Sequence, residues 1–214
     1  MVSVQKRTSP VVSARPVTLP TTARGRQRRA QIVEAAAVLM YERGIAATSL
    51  DEVLARSGAG KSQLYHYFGN KNDLVRAVID HQLELVLASQ PQLHGMQTWA
   101  DFDAWADALL ARHSTKDGPR ACRLGSLAHE VDSDDELRIH LAAAFARWQG
   151  YLTDGLQALQ NRGQLRPGAD PHLLATGVMA AVQGGLLLAR LNRDTTPLRE
   201  ALTVSIAHLR SQRR

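Results

Sequence analysis

Along most of this chain apolar residues recur three or four positions apart, the spacing that places them on one face of an α-helix. No stretch alternates with period two, so the pattern predicts an all-α protein of about nine helices. The first helical face runs from Arg26 to Arg43 through Ile32, Ala36, Leu39 and Met40, and Gly44 ends it. Leu50, Val53 and Leu54 form the inner side of a second helix, and Leu64 with Phe68 that of a third. A fourth starts at Lys71 and passes through Leu74, Val78, Leu83, Leu85 and Leu87 before Pro91 stops it. Trp99 to about Ser114 carries Phe102, Trp105, Ala106, Leu109 and His113 on a stripe, and a turn is expected at 116–119. A short helix is expected near Cys122–His129. The longest stripe follows, Leu137 through Leu141, Phe145, Trp148, Leu152, Leu156 and Leu159, with Gly163 as its stop. Two further helices begin at Asp170-Pro171 and Thr196-Pro197, each with proline pre-set for a first turn.

Residues 49–68 organise the rest. Ser49 and Glu52 have capping-box spacing, and Ser133 with Glu136 repeats it downstream. Gly58 can take the left-handed conformation that ends a helix, and Ala59-Gly60 leaves room only for a sharp corner. With Leu64 and Phe68 turned inward, Lys61, Ser62, Gln63, Tyr65 and His66 face out. A short polar face with one cation and two rings suits the floor of a DNA major groove. Asn70 and Asp73 cap the next helix and put Lys71 in its first turn, where a cation opposes the helix dipole. A nearby phosphate would explain that placement.

The run from Gly44 through Val75, GIAATSLDEVLARSGAGKSQLYHYFGNKNDLV, closely resembles the N-terminal DNA-binding domain of TetR-type transcriptional regulators. LYHYF at 64–68 and the following Lys71 are its most specific parts, and the similarity is strong over about 26–80. Beyond that it is architectural. The resemblance implies that Ser62 and Gln63 reach base edges, glutamine being able to grip adenine with two hydrogen bonds. It implies that Tyr65 and His66 touch backbone phosphate or base methyls, that Lys61 and Lys71 pair with phosphates, and that Thr48 donates to another. The family often has serine where Gly60 stands, so the reading helix starts on a weaker cap. The implied organisation is a basic disordered arm at 1–22, a three-helix DNA-binding domain at 23–80 with its helix-turn-helix at 49–68, and a ligand-binding and dimerisation domain at 81–214.

Composition narrows this reading. Residues 1–33 hold seven cations and no acid, among them Arg24, Arg26, Arg28 and Arg29. Removing those seven from the chain's 26 cations leaves 19 against 20 acids, so the net +6 belongs to one end. Residues 1–22, with Pro10, Pro16 and Pro20 and no period, read either as an inert extension or as an arm on DNA phosphate. One cysteine, Cys122, allows no internal disulfide and fits a reducing cytoplasm; no export signal is expected. The helix at 172–191 is apolar almost all round. Thr176, Gln183, paired glycines and its flanking His and Arg argue for burial rather than a membrane span. Gly177, Ala181, Gly184 and Gly185 allow close approach, and the resemblance implies that this helix and the last one pair with their copies in a homodimer.

Trp105, Leu109, Cys122, Leu124, Leu127, Phe145, Trp148, Leu152, Met179 and Gln183 are candidates to line an inducer pocket, with Gln183 the polar contact; each also reads as plain core. The acidic run from His129 to Glu136 lacks the central glycine of a calcium loop and reads as a solvated helix start. The eight histidines show no metalloprotease spacing, and no glycine loop cradles phosphate, so no enzyme, metal or cofactor is expected. The expected function is a transcriptional regulator that binds a palindromic site on double-stranded DNA as a dimer and is released by a small molecule. The competing expectation is a helical small-molecule-binding or interaction dimer without specific DNA contact.

Overall fold

The computed structural model describes residues 19–114, 118–119 and 121–214. Among these there are eight α-helices and two short 3-10 turns, with one isolated β-bridge, Leu165 to Arg213, and no strand. Residues 1–18 of the arm expected at 1–22 lie outside the described residues, as does half of the turn at 116–119.

Helix α1 spans Ala23–Arg43, three residues longer at its start than periodicity predicts, because the Thr22 hydroxyl accepts from Gly25 N and caps it there. Helices α2 (Leu50–Ser57), α3 (Lys61–Tyr67) and α4 (Lys71–Ala88) follow. The Ser49–Glu52 capping box forms in full, and Gly58 takes φ 64°, the left-handed residue the corner requires. Val53, Leu64, Phe68 and Leu74 bury against Ile32, Ala36 and Met40, so α1 is the floor on which the corner rests.

Pro91 does not merely stop α4. The helix ends at Ala88, and the proline opens a 3-10 turn, Pro91–Leu93. Helix α5 spans Trp99–His113 and α6 Asp135–Asn161. The short helix expected at 122–129 is only a 3-10 turn, Gly125–Leu127. The box expected at Ser133 is not used. Asp134 caps α6 instead, accepting from Leu137 N at 3.0 Å. Helices α7 (Pro171–Asn192) and α8 (Thr196–Ser211) close the chain as an antiparallel pair. They approach closely at Gly185, where an added Cβ would lie 3.0 Å from the Leu198 Cα.

α4 joins the two ends of the molecule. One flank packs on α1 and another on α6. Every fourth residue of α4 makes a polar clasp to the start or face of α6. Asn72 donates to Asp134 at 2.6 Å, Arg76 pairs with Glu136, Asp80 with His140 at 2.8 Å, and Glu84 with Arg147 at 2.7 Å. Such exposed pairs are individually weak, but four in register fix the angle between the helices.

Candidate nucleic-acid interface and effector cavity

The third helix presents the face that the sequence implies. Leu64 and Phe68 are fully buried, and Lys61, Ser62, Gln63, Tyr65 and His66 are all exposed, Tyr65 by 45%. Tyr67, the second tyrosine of LYHYF, turns inward and packs edge-on to both His66 and Phe68, fixing the ring at the end of the exposed face. The basic start of α1 sits beside this helix: an added Cβ on Gly25 would lie 3.5 Å from the Tyr67 hydroxyl. Arg29 lies over the Phe68 ring at 5.1 Å, and burial pushes its guanidinium below the usual arginine range.

At the mouth of α3 the missing serine is partly replaced from within. Gln63 Oε1 accepts from Gly60 N at 3.1 Å, so one half of a capping box exists without the other. The Gln63 Nε2 donor stays available while the oxygen holds the corner. Lys71 is half-buried and its Nζ reaches the Ala46 carbonyl at 3.4 Å, tying α4 to the loop before α2. Thr48 is placed otherwise than expected. It is 1% exposed and its hydroxyl donates to the Gly44 carbonyl at 2.8 Å, so it clasps the α1–α2 loop and offers no proton to a phosphate.

A cavity of about 190 Å³ opens where α1, α4, α5, α6 and α7 converge. Of the candidates for an inducer pocket, Leu109, Cys122 and Trp148 line it. Leu124, Leu127, Leu152 and Met179 are buried core instead, and Phe145 stacks on Trp148 without lining the cavity. Trp105 stands one residue behind the wall, its Nε1 donating to Gln90 Oε1 at 2.8 Å. Gln183 turns toward the 122–125 segment and is not in the wall; its Oε1 lies against Gly125 and the Cys122 thiol, which burial holds above the usual thiol range. Among the described residues no group of three or more metal-ligating side chains assembles, at the acidic run or elsewhere.

Comparison with known proteins decides the family. The description "Bacterial regulatory proteins, tetR family" matches residues 32–78, and "Tetracyclin repressor-like, C-terminal domain" matches 99–205, half of the chain. A helix-turn-helix transcriptional regulator of Mycobacterium tuberculosis is 31% identical over 79% of this chain and 88% of its own length. The chain belongs to the TetR family of bacterial regulatory proteins. The repressor DhaR of a Mycobacterium species is 25% identical over 82% of this chain and 89% of its own. A TetR transcriptional regulator from Chloroflexus aurantiacus superposes with TM-score 0.74 at 27% identity, covering 90% of this chain and 99% of that one. This TetR-family member is therefore a helix-turn-helix DNA-binding transcriptional regulator and not an enzyme.

Two features of this regulator escaped the sequence. Glu130 Oε2 accepts from Ile45 N at 2.5 Å, fastening the loop behind the cavity to the loop that enters the helix-turn-helix. Gln82 and Gln90, on and just after α4, are buried polar residues of the cavity wall. A contact across 85 residues leaves no local trace, and glutamines at these positions look like any others on a helix.

Proposed function

We propose that the protein is a homodimeric repressor that holds a palindromic operator until a small molecule occupies the cavity between α4, α5 and α6. The observation that carries the DNA half is the outward face of α3, five exposed polar or aromatic side chains over two fully buried anchors. Ser62 and Gln63 are its base-reading residues, Tyr65 and His66 its backbone contacts, and Lys61 and Lys71 its phosphate partners. The dimer half rests on α7. Leu173, Leu187, Leu188 and Leu191 are half or more exposed, with Val204 beside them on α8, while the opposite side of both helices is core. α7 is long and apolar enough to cross a membrane, but 44% of its apolar window is buried, the pattern of a helix packed on both sides once a partner arrives. Two copies related by a two-fold axis would set their reading helices about 34–36 Å apart. The site of action is the cytoplasm, where the chromosome lies.

Release follows from position. The cavity wall takes Gln82, Leu85 and Val86 from α4 and Tyr41 from α1. A ligand that fits only one tilt of α4 lowers DNA affinity by its differential affinity for the two states. Selection of bound sequences from a random DNA pool should return an inverted repeat, and Tyr65→Ala should weaken its binding. Recovery of no consensus, with Tyr65→Ala unchanged in affinity, would leave a helical dimer without specific DNA contact.

A further inference from the structure

The chemistry of the cavity wall narrows what can occupy it. Two arginines, Arg112 of α5 and Arg123, stand at the wall, and no aspartate or glutamate does among the described residues. Arg112 donates one N–H to the Ser89 carbonyl at 3.1 Å and makes no ion pair with a described residue. Arg123 lies over the Tyr41 ring at 5.0 Å and likewise pairs with no described carboxylate. One polar group of the wall is buried without a partner among the described residues. The Trp148 indole N–H finds no acceptor. Gln82, 3% exposed, stands in the same wall. Native proteins rarely leave such a group unpaired, and a buried N–H with nothing to bind costs free energy that a ligand can return.

Resting on the effector reading above, we infer that the cavity takes a small organic carboxylate. Its anionic end faces Arg112 and Arg123, an acceptor meets the Trp148 N–H or the Gln82 amide, and its apolar body lies against Leu109, Val86 and Leu186. At protein-like packing density the volume holds on the order of ten non-hydrogen atoms. The guanidinium fork suits a carboxylate, and both arginines release water more readily than lysines would. A cationic ligand would find no counter-charge among the described residues of this wall.

The test is a panel of monocarboxylates of roughly six to eleven non-hydrogen atoms, benzoate and branched hexanoates included, each paired with its uncharged primary amide. Binding is read by quenching of tryptophan fluorescence, and operator release by gel-shift in the same buffer. Carboxylates should bind and release DNA, and their amides should bind about 10- to 100-fold more weakly. Arg112→Ala with Arg123→Ala should erase that preference. Gln82→Leu should weaken the carboxylates, because it removes a polar side chain of the wall. Amides that bind as well as carboxylates, or a panel in which nothing binds, overturn the inference. The ligand-free gel-shift is read in every series, so failure of the DNA reading shows there and is not mistaken for failure of the carboxylate.

Discussion

The sharpest prediction concerns the outer face of α7. Leu187 is 60% exposed and Leu191 69%, one turn apart on the same side. Fully burying a leucine contributes about 1.5–3 kcal/mol, so sealing these two against a second copy is worth about 1–2 kcal/mol each. A two-fold interface uses each residue twice, so four leucines bring roughly 4–8 kcal/mol to dimerisation. Replacing both with glutamate removes that term and leaves carboxylates facing each other across the axis. The dimer constant should weaken by at least about a thousand-fold, since each 1.4 kcal/mol is a factor of ten. Because both positions are open on the single chain, helicity and core packing should survive. Sedimentation equilibrium of L187E/L191E at micromolar concentration should give the monomer mass with an unchanged circular dichroism spectrum, and operator affinity should fall with it. A variant that stays dimeric at the concentration where the parent does would show that the interface lies elsewhere.

Three further outcomes follow from local geometry. Glu130→Ala strips Ile45 N of its acceptor and should cost about 0.5–1.5 kcal/mol, a fall in Tm of about 2–4 °C per kcal/mol in a chain this long; Glu130→Gln should restore most of it, and a Tm equal to the parent's in the alanine variant would show the clasp to be idle. Gly60→Ser should slow amide exchange in α3 and add a few tenths of a kcal/mol, because φ is −76° and an added Cβ meets nothing closer than 4.0 Å; faster exchange would contradict the half-formed cap. Glu52 is held below the usual carboxylate range by the Ser49 amide and then its hydroxyl, and Asp101 by the Gln97 and Thr98 amides. A lowered folded-state pKa gives stability that is present above the unfolded value and lost as pH falls below about 4, so melting curves of Glu52→Gln with Asp101→Asn should lose part of the acid-side fall in Tm seen in the parent.

What the sequence determined by itself was set within a few residues of chain. The all-helical class, the corner at Gly58, the outward face of α3 and the proline starts of α7 and α8 depend on caps and on a 3.6-residue period. Those forces act between neighbours four apart, so they can be read before anything is folded. Even there, Asp134 outcompeted Ser133 as a cap, accepting from Leu137 N and starting the helix one residue later. What only the tertiary structure decided was whatever depends on which helices meet. Thr48 reads as an exposed hydroxyl at a helix mouth, yet the α1–α2 loop folds over it and takes its proton. Leu109 and Trp148 bound a cavity while Met179 and Leu152 do not, although all four lie on apolar stripes. The clasp from Glu130 to Ile45, and the two arginines in one wall with the buried Gln82 and Trp148, exist because α1, α4, α5 and α6 converge. That convergence is a sum of many weak contacts between distant segments, and no single stretch of sequence carries it.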